Sequence, residues 1–113
     1  MTNTIILADD DLRRLEKRFG PTVRHMGPWN SDGTFGYCSI RLASVEKAAA
    51  AINDPIIRES VQRLKQMPER TPLFIEMLHN FGSALIDKVV AAYAERFTIG
   101  RQTTSERTTT HSA

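Results

Sequence analysis

Two aromatic side chains, Phe35 and Tyr37, stand two positions apart in GTFGYCSIRL, residues 33–42, and Ser39 and Arg41 continue the same spacing. On an extended strand alternate residues share a face. These four side chains therefore line one side, while Gly36, Cys38, Ile40 and Leu42 line the other. Flat π-faces beside a hydroxyl and a guanidinium suit stacking and hydrogen bonding to a partner better than bond-making chemistry. Cys38 falls in the inward set and is expected as a small core residue, not a nucleophile. His25, His79 and His111 have no close spacing to Cys38 or to one another and give no metal signature. Neither GxGxxG nor GxxxxGK[ST] is present. The expectation is a binding protein, not an enzyme, with no cofactor and no metal. Trp29, next to the turn residues, is expected as a lid on the core or on a sheet edge.

The elements that must position these residues follow from local patterns. Thr4 to Leu7 (TIIL) is β-branched and apolar and predicts a short buried strand. The acidic run Asp9, Asp10, Asp11 suits a helix start, with Asp9 or Asp10 as cap. Leu12, Leu15 and Phe19 keep helical spacing until Gly20 and Pro21 stop it. Thr22 to Met26 is read as a second strand, and Asn30-Ser31-Asp32-Gly33 as the turn before the aromatic strand, Phe35 to Leu42. Ser44 is expected to cap a helix over Val45 to Ile52. Asp54-Pro55 opens another, to about Met67, with Ile57, Val61 and Leu64 as its buried stripe. Pro72 to Leu78 is ambiguous: its apolar run suits a fourth strand, yet Thr71-Pro72 resembles a helix start and Phe74, Met77, Leu78, Phe81 and Leu85 keep helical spacing. The strand is preferred. Gly82 and Ser83 then open a last helix, Ala84 to Phe97.

The chain has 113 residues, 41% of them apolar, which makes one domain over residues 1–100; residues 101–113 are expected as a disordered polar tail. A net charge of +2 permits an anionic partner without demanding one. The lone cysteine forms no internal disulfide, and the start MTNTIILADDD lacks a basic segment followed by an apolar core. The expected compartment is the reducing cytoplasm, with no membrane association.

Strand, helix, strand, strand, helix and a further strand is the order of the split βαβ, or ferredoxin-like, pattern. The fold class expected is therefore α+β: an antiparallel sheet with helices on one face and an extra C-terminal helix. TFGYCSI, Thr34 to Ile40, resembles the RNP1 motif of the RNA recognition motif family. DDLRRLEKRFGPTV, Asp10 to Val23, resembles that family's first helix and entry to its second strand, and SVEKAAAAIN, Ser44 to Asn53, its second helix. The resemblance implies single-stranded RNA, or DNA, bound on the sheet. Phe35 and Tyr37 would stack on bases, and Arg24, Met26, Ser39 and Arg41 would contact phosphates and base edges. The chain departs from the pattern at Gly33, Thr34 and Ile40, and its first strand offers no aromatic. ILADDD, Ile6 to Asp11, is also similar to the acidic start of a response-regulator receiver domain. A receiver needs a strand ending in a phosphoacceptor aspartate, for which Asn53 to Arg58 leaves no room. A different function uses the same sheet face: exposed aromatics burying against a protein partner or a second copy of the chain.

Overall fold

The computed structural model describes residues 3–31 and 36–110. It is a small α+β domain whose described residues form a three-stranded antiparallel sheet and five α-helices. The strands are β1 (Thr4–Ala8), β2 (Trp29–Ser31) and β3 (Gly36–Arg41); the helices are α1 (Asp9–Phe19), α2 (Leu42–Ile52), α3 (Pro55–Gln66), α4 (Thr71–Phe81) and α5 (Ser83–Thr110). The strand order is β1-β3-β2, so β3 is central and the other two are edges.

Period-two alternation decides which face is covered. In β1, Ile5 and Leu7 are buried while Ile6 is 43% exposed; in β3, Cys38 and Ile40 are fully buried. The register places Ile5 opposite Ile40 and Leu7 opposite Cys38, which makes one apolar patch across two strands. Leu12 and Leu15 of α1, Val45 and Ala48 of α2, Phe74 and Met77 of α4 and Leu85 and Val89 of α5 join that patch in a single core cluster. The alternate strand residues, Thr4, Ile6 and Ala8 in β1 and Tyr37, Ser39 and Arg41 in β3, project to the opposite side.

Several local expectations are corrected. Thr22 to Met26 is not a strand: Pro21–His25 forms a short 3-10 helix. Val23 and Met26, three apart, both reach the core with no exposure. Pro21 at its first turn is the matching start signal. Pro72 to Leu78 is not a strand either. It lies inside α4, where Leu73, Phe74, Met77 and Leu78 are buried at helical spacing, and a proline in the first turn starts the helix. Ser44 does not cap α2, which begins at Leu42; its side chain is buried within that helix. Ala8, not an aspartate, occupies the cap position of α1, and Asp9, Asp10 and Asp11 act through the dipole of the first turn. Asp54 does cap α3, accepting from the Ile56 N–H at 2.8 Å. Helix α5 continues past Phe97, and its backbone takes in part of the segment expected as the polar tail. Of the expected turn, Asn30 and Ser31 instead belong to β2, where they pair with Tyr37 and Gly36, and Asp32 and Gly33 lie outside the described residues.

Two glycines permit the sheet to close. A Cβ on Gly27 would lie 2.1 Å from the Ser39 carbonyl oxygen, and one on Gly36 would lie 2.1 Å from Cζ2 of Trp29. The first neighbour is backbone held in the central strand; the second is a side chain at the rim. Gly27→Ala is therefore expected to lower the unfolding free energy by the upper part of the roughly 1–3 kcal/mol typical of overpacking, and Gly36→Ala by less. Urea denaturation of the two variants checks the order.

Candidate nucleic-acid interface

The uncovered face is built from three strands in register. Thr4 lies opposite Arg41, Ile6 opposite Ser39 and Ala8 opposite Tyr37, and on the other side of β3 Asn30 lies opposite Tyr37. Directly opposed residues of antiparallel strands project to the same side. Tyr37, Ser39 and Arg41 therefore form a row down the middle of the face, flanked by Thr4, Ile6 and Ala8 on β1 and by Asn30 on β2. Tyr37 and Ser39 are half-buried and Arg41 is exposed. The Asn30 side-chain amide donates to Ser39 Oγ at 3.2 Å, which holds both polar groups flat against the sheet. Among the described strand residues of this face, Arg41 is the single cation and there is no carboxylate.

Of the six side chains expected at the site, Tyr37, Ser39 and Arg41 come together on this face. Phe35 lies outside the described residues. Arg24 and Met26 are elsewhere: once residues 22–26 coil into a 3-10 helix they leave the sheet plane. Met26 is sealed in the core with no exposure. Arg24 donates from Nε to Glu16 Oε1 and from Nη2 to Asp9 Oδ1 at 3.3 Å, and its guanidinium lies 4.5 Å from the centre of the Trp29 ring. Burial alone would lower the Arg24 pKa, but the hydrogen bonds and charges of Glu16 and Asp9 outweigh it, so the pKa is raised. Its charge is committed to α1 and Trp29 on the helix-covered side.

Trp29 sits opposite Cys38 and therefore on the covered side of β2, as a rim lid 42% exposed. Ile6, Thr4 and Asn30 are the members of the open face that sequence reasoning missed. Reading TIIL as wholly buried hid Ile6, although alternation within that strand points it away from Ile5 and Leu7.

Cys38 occupies the inward position expected of it. Burial pushes its thiol up from 9.0 to about 11, while a hydrogen bond from the Gly27 backbone and the charge of Arg24 pull the other way. No group of His, Cys, Asp and Glu among the described residues could hold a metal ion, and no helix there is long and apolar enough to cross a membrane. His25 and His79 are exposed on separate elements. Comparison with protein-family models, curated proteins and solved structures gives no match.

The folded state holds the Cys38 proton more tightly than the unfolded chain, so this group's contribution to stability is complete below pH 9 and is lost as pH rises towards 11. At pH 8 a thiol reagent is expected to label Cys38 at the rate of unfolding, with prompt reaction only after denaturant is added. Rapid labelling of the native protein contradicts the burial.

Proposed function

We propose that the uncovered sheet face binds single-stranded RNA, or single-stranded DNA, across the row Tyr37, Ser39 and Arg41. The observation that carries this reading is an antiparallel face that presents an aromatic ring, hydrogen-bonding groups and one cation, with no carboxylate among its described strand residues. A ring on such a face offers a base a stacking surface, and the guanidinium offers a phosphate or base edge two donors.

The strand order supports reading residues 4–41 as a split βαβ unit. β1 and β2 are both antiparallel to β3, hence parallel to each other, and α1 leads from β1 towards β2 with β3 inserted between. A ferredoxin-like sheet would add a fourth strand beside β1; in this chain the start of α4 stands there, with the Thr71 hydroxyl donating to the Ile6 carbonyl at 2.8 Å. The RNA recognition motif reading is thus confined to the first half of the chain.

One observation favours a second reading. Ile6, a large apolar side chain at 43% exposure, stands directly beside the row, as expected of a surface that buries against protein. One set of measurements separates the two. Fluorescence anisotropy with a short single-stranded RNA should show salt-sensitive binding. Tyr37→Ala should weaken it by roughly 1–3 kcal/mol, and Arg41→Ala should reduce the slope of log affinity against log salt by about 1. Phe35→Ala tests the other aromatic of the sequence pattern in the same assay. Unchanged affinity in variants with native circular dichroism removes the stacking reading. Absence of RNA binding, together with a dimer that Tyr37→Ala or Ile6→Ala dissociates in light scattering, supports the protein interface instead.

A further inference from the structure

We infer that the row beside Tyr37 is selective for cytosine, through one hydrogen-bond acceptor and two donors set in order by Asn30, Ser39 and Arg41. This selectivity rests on the reading of the face as a single-stranded nucleic-acid site and names the base that the site takes. Asn30 lies opposite Tyr37 on β2, and Ala8 lies opposite it on β1. A base stacked on the Tyr37 ring therefore has a methyl group on one side and an amide on the other, and turns its polar edge towards Asn30 and Ser39.

The polarity of that amide is fixed by its neighbours. Asn30 Nδ2 donates to the Pro28 carbonyl oxygen at 3.4 Å and to Ser39 Oγ at 3.2 Å. A carbonyl oxygen only accepts, so the amide nitrogen must face Pro28, and both of its hydrogens are used. The amide oxygen is left as an acceptor. Ser39 Oγ accepts from Asn30 and keeps its own proton to donate; no acceptor for that proton is found among the described residues. Arg41, two positions further along the same side of β3, adds a guanidinium that only donates. It is exposed and, unlike Arg24, is in no ion pair among the described residues.

Along the row the protein thus reads acceptor, donor, donor. The complementary edge reads donor, acceptor, acceptor. On its Watson–Crick edge each of the four bases can place a donor on Asn30 and a neighbouring acceptor on Ser39. Cytosine alone carries a second acceptor next in line, so that its amino group, ring nitrogen and carbonyl oxygen meet Asn30, Ser39 and Arg41 in turn. Adenine has a C–H in the third place, and in uracil and guanine the matching pair already ends the edge. With those three bases Arg41 goes unmatched.

Competition anisotropy on the full chain tests this with short oligouridylates that carry one central cytidine, adenosine, guanosine or uridine. The cytidine strand is expected to bind about tenfold more tightly than the others, as one added hydrogen bond from a charged donor warrants. Ser39→Ala and Arg41→Ala should each bring the four strands level. A cytidine analogue that lacks only the amino group should cost wild-type protein about tenfold and cost Asn30→Ala nothing, a coupling that a merely structural role of Asn30 does not produce. Equal affinity for the four strands in wild-type protein whose binding still depends on Tyr37 overturns the inference and leaves the RNA reading standing. A cytosine preference that survives in folded Ser39→Ala and Arg41→Ala does the same. Failure of every strand to bind removes both.

Discussion

Strand β3 lies between β1 and β2, and its register with both determines which of its side chains reach the core. Hydrogen bonding alternates along it: Cys38 and Ile40 exchange bonds with β1, and Ser39, whose N–H donates to the Pro28 carbonyl at 3.1 Å, faces the other neighbour. A slip of one residue would bring Tyr37, Ser39 and Arg41 under the helices and expel Cys38 and Ile40. The close approach of Gly27 to the Ser39 carbonyl and the indole of Trp29 over Gly36 both hold that register in place. The open face and the sealed thiol both follow from this single pairing.

The ion pairs of Arg24 show how a segment too short to choose its own structure is settled from outside. TVRHM carries a β-branched residue at each of its first two positions and reads as a strand. Its backbone instead turns as a 3-10 helix because Val23 and Met26 must both reach the core while Arg24 meets Asp9 and Glu16 on α1. Tertiary contacts of this kind outweigh propensity over five residues. Moving Arg24 and Met26 off the sheet leaves its open face less basic and simpler in chemistry than the sequence suggests.

Legibility therefore follows the range of the deciding interaction. The aromatic strand, the inward position of Cys38, the helix after it and the Asp54 cap were readable because each depends on neighbours within a few residues. The shared face of Tyr37, Ser39 and Arg41 was readable for the same reason. Pro72 to Leu78 was not, since a short apolar run satisfies a buried strand and a buried helix equally; the burial of Phe74, Met77 and Leu78 by other elements decides it. Arg24 and Met26 depended on partners or coverings far along the chain, which no local pattern encodes, whereas the outward position of Ile6 lay in the alternation of its own strand.

Gly82 joins α4 to α5 at φ 63 and ψ −145, backbone angles that a residue with a side chain seldom adopts. An unbroken helix from Thr71 to Thr110 would measure about 60 Å at the usual rise per residue. The longest extent of the whole molecule is 48 Å. The corner at Gly82 thus sets the dimensions of the protein: it lets one long stretch of helical sequence serve two walls, with α4 beside the sheet edge and α5 turned back along α2, where Glu95 meets Lys47 at 2.6 Å.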